Sequence, residues 1–377
     1  MNGDRRDFLR LAGAAGAALA LRRAAAQPAA ERPMPRVQPA AYKRIATEEA
    51  WGTAELFAEW KKVLDAKPAD EIGFLALWRN LDPTGNTGFT RRLMDIGEGR
   101  LAAMDAAGID MQILALTAPG VQVLDADRGV GVAADSNDQL AEACRKHPTR
   151  YAGMTAIAPQ DPHRAALEIE RGARELGLKA VIVNSHTKGE YLADQKYWEI
   201  FEAAEAVDAP IYIHPREPAP KMVEPFIEYD LLRGDLGFGV EVAFHTQAII
   251  NAGVFDRFPS LKLVIGHGGE GIPYNLYRID RTHFVRRENQ RAKNVPSYYM
   301  KRNVFVTNSG VAWAPMVTFA QAVLGVSQVL YAMDYPYQYD IEEVHAMDAL
   351  PISYDDKKAF FQLNAERVFN LPSSARS

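Results

Sequence analysis

Cysteine is almost absent: Cys144 is the one such residue among 377. No internal disulfide can form, so an oxidising compartment is compatible with the chain but adds nothing to its stability. No stretch approaches the roughly 20 consecutive apolar residues that a membrane-spanning helix needs, which removes a stable membrane anchor from the expectations. Positive charge is not gathered into a stripe. Lys and Arg number 43 against 48 Asp and Glu, a net charge of -5, which excludes a nucleic-acid footprint. Nothing repeats at a fixed period, and beyond the N-terminus nothing is low in complexity.

What the chain does have is eight short runs rich in Val, Ile, Tyr, Phe and Ala: Lys43–Trp51, Ile109–Thr117, Tyr151–Ala158, Lys179–Ser185, Ala209–Pro215, Lys262–His267, Asn303–Gly310 and Gln328–Pro336. Near-continuous apolar strands separated by helical stretches describe a parallel sheet buried on both faces. Eight such units make an α/β fold of the (β/α)8 TIM-barrel kind, for which about 250 residues plus insertions suffice. One domain over residues 43–377 is therefore expected.

Helix boundaries are marked by caps. Gly97–Ala107 ends at Gly108; Ser136 or Asn137 caps a stretch running to His147, which holds Cys144 as a small core residue; Asp161-Pro162 opens a helix that closes at Gly177. Further helices are predicted over Asp194–Val207, Val240–Ala252 and Asp355–Asn370, the last packing over the end of the barrel wall. Long insertions at Thr53–Arg92 and Pro215–Phe238 follow the first and fifth strands, so they should cover the pocket.

The N-terminus stands apart. Arg5-Arg6 followed by Phe8-Leu9, a weakly apolar run to Leu21 and the small residues Ala24-Ala25-Ala26 resemble a twin-arginine export signal over residues 1–26. Residues 27–42, with Pro28, Pro33, Pro35 and Pro39, read as an extended linker. The expected location is periplasmic. Export by this route carries folded proteins, which suits an enzyme that acquires a metal inside the cell.

Four of the eight runs carry a side chain that binds metals or moves protons, and barrel active sites lie at the C-terminal ends of strands. Glu48 is followed by Glu49, and on a regular strand only one of these can face the interior. His214 ends the fifth run and Asp334 the eighth. Two carboxylates and one imidazole suit a single divalent ion with open positions. His267 stands in Gly266-His267-Gly268-Gly269-Glu270-Gly271, where glycines let the backbone approach a ligand and Glu270 can orient the imidazole. Arg278 is a candidate contact for an anionic substrate, with a helix-face ion pair as the alternative. His147, His163, His283 and His345 read as structural; His186 and His245 are candidates for groups supporting the site.

From about Lys43 to Leu371 the chain resembles the amidohydrolase-2 branch of the amidohydrolase superfamily, most closely its non-oxidative aromatic-acid decarboxylases. The resemblance rests on Glu48-Glu49-Ala50, Tyr212-Ile213-His214-Pro215-Arg216, Gly253–Pro259, Gly266–Gly271, Arg278-Ile279-Asp280 and Asp334-Tyr335-Pro336. It implies that Glu48, His214 and Asp334 hold one Zn or Mn ion, that His267 and Glu270 act as an acid/base pair, and that Asp334 delivers a proton to the ring carbon bearing the carboxylate. It implies a homo-oligomer, dimer or tetramer, acting on a small molecule. Many relatives have a His where this chain has Ala50, and Gln338 stands where some carry an aromatic that packs on the substrate ring. Metal-assisted hydrolysis of an ester, lactone or amide on the same residues is the alternative reaction, and a binding protein on an inactive barrel is the third reading.

Overall fold

The computed structural model describes residues 40–86, 88–283, 285, 290–338 and 340–373. Eight strands form one parallel sheet in sequential order: β1 (Ile45–Trp51), β2 (Met111–Leu116), β3 (Tyr151–Ala156), β4 (Ala180–Val183), β5 (Ile211–Ile213), β6 (Leu263–Ile265), β7 (Val304–Thr307) and β8 (Val329–Leu330). The first and last strands meet through Thr47 N donating to Tyr331 O at 3.0 Å and Ala50 N to Tyr335 O at 2.7 Å, which brings the sheet round into a barrel. Strand residues such as Val181, Ile211, Leu263 and Val304 are fully buried, each stabilising the fold by about 1.5–3 kcal/mol.

The strands are shorter than the apolar runs that announced them. β8 has two residues where nine were expected, because Tyr331 N turns to Phe360 O and the N–H groups of Ala332 and Met333 find side-chain acceptors outside the ladder. His214 directly follows β5, His267 lies two residues past β6 and Asp334 four past β8, all on the C-terminal rim.

One expected cap is corrected. The helix over Ala126–Lys146 starts ten residues before Ser136, after Asp125 in extended conformation. Ser136 and Asn137 are buried within it, and the Asn137 amide clamps β3 by two 2.8 Å bonds to the Ala156 N and O. An amide that reads as a cap in sequence here serves the neighbouring strand. Cys144 is half-buried on the same helix, and burial pushes its thiol up to about 12. Asp161 caps Pro162–Arg174 as expected, accepting from Arg164 N.

The C-terminal helix runs from Tyr354, widens into a π turn at Ala359–Leu363 and continues to Val368. Phe360 O is thereby free to accept Tyr331 N at 3.2 Å, fastening the helix to the end of β8. The expected signal, residues 1–26, lies outside the described residues. The linker expected over residues 27–42 ends earlier than Tyr42, whose buried ring stacks on Phe361 at 5.1 Å. Among the described residues no helix is long and apolar enough to cross a membrane.

Candidate active site and metal centre

The site begins with an irregularity in β1. Pairing with β2 runs Ala46 to Gln112 and then Glu49 to Leu114, so an extra residue stands on β1 between them. Such a bulge re-aims side chains. Here it turns Glu48 into the barrel mouth, where Oε2 accepts from the Tyr212 hydroxyl and from Thr307 Oγ1. Gly266 makes room for it, since a Cβ there would stand 2.6 Å from Glu48 Oε2.

Glu48 Oε1 is buried and has no hydrogen-bond partner among the described residues. A desolvated carboxylate oxygen without a donor costs free energy that only a proton or a cation can offset. It faces His214 Nε2 at 3.3 Å. His214 Nδ1 lies 2.8 Å from Pro215 O, which places the proton on Nδ1 and leaves Nε2 a bare lone pair. Burial depresses the imidazole further, the Glu48 charge opposing, so the neutral ligand form is favoured.

Asp334 completes the set: ligand atoms from Glu48, His214 and Asp334 all lie within 4.8 Å of one another. Two carboxylates and one imidazole in that space suit a divalent cation, and the orphaned Oε1 shows what it would satisfy. With no cation, burial first and the Glu48 charge second push Asp334 well above the usual carboxylate range.

His267 faces Glu48 from the other side, its Nε2 3.6 Å from Glu48 Oε1 and its Nδ1 2.6 Å from Glu270 Oε1. Burial lowers this imidazole, but the Glu270 and Glu48 charges and the Glu270 hydrogen bond outweigh it and hold the pKa at about 10. His267, Glu270 and Asp334 all have left-handed backbones, with φ of 52°, 53° and 63°. Non-glycine residues adopt this region at a cost of about 1–3 kcal/mol each, a strain that clusters at functional sites.

These groups form one end of a cavity of about 460 Å3. Leu77, Trp78 and Phe89 come from the insertion after β1; Arg216, Glu217, Arg233 and Phe238 come from the one after β5, so both insertions cover the pocket as expected. They are tied together beneath the surface, where the fully buried Arg216 donates to Glu71 Oε2 at 2.6 Å and to Glu217 Oε1. Tyr337 adds a further aromatic wall, 5.0 Å from the Phe89 ring, beside Gln338.

The structure brings together Glu48, His214, His267, Glu270 and Asp334. Arg278 is not among them: it is exposed on the Ile272–His283 helix and does not line the cavity, while Arg233 does. His186 and His245 lie behind the site. His245 Nε2 accepts Leu192 N, its Nδ1 faces Ser185 Oγ, and Ser185 donates to Glu241, a closed buried network that lowers His245 to about 3 by desolvation. The aromatic wall of Phe89, Phe238 and Tyr337 escaped the sequence reading. Its residues lie in loops and insertions without periodicity, and only their place on the C-terminal side of strands hinted at a role.

Comparison with known proteins follows the same lines. A family model described as amidohydrolase matches residues 87–371. The chain is 34% identical over 296 residues to a γ-resorcylate decarboxylase from Polaromonas sp., covering 74% of this chain and 89% of that one. Among solved structures, 5-carboxyvanillate decarboxylase from Novosphingobium aromaticivorans, with manganese and a nitrobenzoic acid bound, superposes with a TM-score of 0.86 at 46% identity, covering 90% of this chain and 100% of that one. A 2,6-dihydroxybenzoate decarboxylase in complex with 2,6-dihydroxybenzoate gives 0.76 at 30% identity, covering 88% of this chain and 100% of that one.

Proposed function

This chain belongs to the amidohydrolase family, and we propose that it is a metal-dependent, non-oxidative decarboxylase of a small hydroxyaromatic carboxylic acid. The observation that carries the reading is the meeting of Glu48, His214 and Asp334 within 4.8 Å, beside the His267–Glu270 pair, at the end of an aromatic-walled cavity. A cavity of about 460 Å3 suits a substituted benzoate. The decarboxylases to which the chain is similar act on hydroxybenzoates, and the 46% identical relative acts on one with an added carboxyl group. A hydroxybenzoate with a second carboxylate, met by Arg233, is the substrate class we place first.

A divalent cation, Mn or Zn, when bound supplies the positive charge that orients the substrate's oxygens and offsets charge developing on them. Glu48 and His214 hold it from the barrel rim. Asp334, whose burial favours the acid form while the cation opposes it, delivers a proton to the ring carbon that bears the carboxylate. Ring electrons form the new C–H bond. The electrons of the C–C bond then return to the ring as carbon dioxide leaves. His267, oriented by Glu270, donates a hydrogen bond to the neighbouring phenol oxygen and offsets the charge that develops on it. The aromatic wall excludes water from the ring.

The reading is tested by incubating manganese-loaded and chelated protein with hydroxybenzoates, aryl esters and lactones. Metal-dependent release of carbon dioxide supports it. Acid release from esters without carbon dioxide would turn the assignment to the hydrolase alternative.

Two further expectations belong to the same reading. Tyr274 and Tyr277 are about four-fifths exposed on the helix that carries Arg278, and Tyr274 lies 6.0 Å from the exposed ring of Phe319. This supports a homo-oligomer, dimer or tetramer, and Arg278 remains a substrate contact only across such an interface; analytical ultracentrifugation decides it. Arg5-Arg6 with Phe8-Leu9 supports twin-arginine export to the periplasm, which is tested by fractionation of the wild-type protein and an Arg5→Lys/Arg6→Lys variant.

A further inference from the structure

Asp334 stands in the loop beyond β8, which β1 meets through Thr47 N to Tyr331 O and Ala50 N to Tyr335 O. β8 ends at Leu330, so the N–H groups of Ala332, Met333 and Tyr335 have no neighbouring strand to bond. Each finds a side chain. Ala332 N donates to Asn308 Oδ1 at 3.0 Å, Met333 N to Glu49 Oε1 at 2.9 Å, and Tyr335 N to Glu49 Oε2 at 3.2 Å. The two oxygens of one carboxylate thus hold the residues on either side of Asp334, whose own φ of 63° disfavours the conformation it adopts.

We propose that Glu49 is a positioning residue: its carboxylate clamps the backbone on both sides of Asp334 and so sets where that carboxyl group stands against Glu48 and His214. The bulge in β1 makes the clamp possible, turning Glu48 into the site and Glu49 against the loop beyond β8. Glu49 is fully buried and does not line the main cavity. It is itself held by Gln112 Nε2 at 3.2 Å, and Gln112 by Arg100 Nη1 at 3.3 Å. Arg100 is fixed in turn on Asp95 O at 2.8 Å and Ala50 O at 2.6 Å, with its guanidinium 4.6 Å from the centre of the Tyr335 ring. The chain from Arg100 therefore reaches the Asp334 loop twice, through Glu49 and through Tyr335. A carboxylate is required because both of its oxygens accept. An amide offers one oxygen and sets its NH2 against the second N–H. Groups that orient a metal ligand in this way change affinity about 10–100-fold when removed.

The inference rests on the metal site proposed above, so its test reads Mn2+ binding and not turnover. Dissociation constants are measured by calorimetry on the wild type, Glu49→Gln, Glu49→Ala and Asn137→Ala, with the folded fraction of each checked by near-ultraviolet circular dichroism. Asn137→Ala cuts the clamp between the Ala126–Lys146 helix and β3, a comparable buried loss away from the cavity. Mn2+ binding by the wild type tests the site itself. Given that binding, the expected result is affinity weakened about 10–100-fold in both Glu49 variants and unchanged in Asn137→Ala. Wild-type affinity in Glu49→Gln, or an equal loss in Asn137→Ala, overturns the proposal. Should neither Glu49 variant fold, Gln112→Ala decides: weaker Mn2+ binding at unchanged stability supports the clamp, and unchanged binding rejects it.

Discussion

His267 and Glu270 hold each other across 2.6 Å, with both backbones in the left-handed region and glycines at 266, 268, 269 and 271 around them. The pair keeps an imidazolium in a buried place: desolvation works against the charge, and Glu270 and Glu48 overcome it.

A titration follows from that balance. In metal-free protein the folded pKa of His267 is raised from 6.5 to about 10. The stabilisation from its charge is therefore complete below about 6.5 and is lost as pH rises through about 10. Glu270→Gln removes the largest raising influence, so the window should close at lower pH. Imidazole NMR of the apo protein measures this, and a wild-type His267 titrating at or below 6.5 would count against the pairing.

Gly266 is the position where the smallest substitution should do most. A Cβ at Gly266 would stand 2.6 Å from Glu48 Oε2, and Tyr212 and Thr307 hold that carboxylate from moving aside. Gly266→Ala should weaken Mn2+ binding by an amount comparable to loss of an orienting group, about 10–100-fold, at a cost of about 1–3 kcal/mol in stability from overpacking. Calorimetric titration reads the affinity; an unchanged value would mean Glu48 does not bind the metal from this position.

Metal should also stabilise the fold. A cation that binds the folded chain alone adds about 2.7 kcal/mol at a hundred times its Kd. The wild type should therefore melt higher with Mn2+ and return to the lower Tm with chelator. His214→Ala removes one ligand, and its Tm should respond far less to the same Mn2+.

Arg216 carries no chemistry, yet its loss should be severe. It pairs with both Glu71 and Glu217 where all three side chains are buried, joining the two insertions that roof the cavity. Arg216→Ala leaves two carboxylates without their cation, at a cost of about 3–5 kcal/mol. Urea unfolding at neutral pH measures it, and a loss under about 1 kcal/mol would show that the roof is held by other contacts.

The barrel was legible because its strands are buried on both faces, which leaves unbroken apolar runs. His214, His267 and Asp334 were legible because they interrupt those runs at the rim. Other features arise only when segments meet. Sequence alternation says that one of Glu48 and Glu49 faces inward, but the bulge that chooses Glu48 depends on pairing with β2. Glu49's grip on the loop beyond β8 cannot be seen from either segment alone. Asn137 looked like a cap because a helix start and a buried clamp use the same amide. Arg278 carries charge in a suggestive motif, but its helix turns it to solvent, while Arg233, in an aperiodic insertion, reaches the cavity.

The account turns on Asp334 as both a ligand and the source of the proton. The most direct measurement is Asp334→Asn, loaded with Mn2+ and given a hydroxybenzoate that the wild type decarboxylates. Bound metal and carbon dioxide release are measured on the same sample. Asparagine keeps the shape and a carbonyl oxygen but has no acidic proton to give. The account predicts that Mn2+ still binds, though less tightly, and that carbon dioxide release falls by at least about a hundredfold, within the range that general acid–base groups contribute. Wild-type turnover by the metal-loaded variant would contradict it.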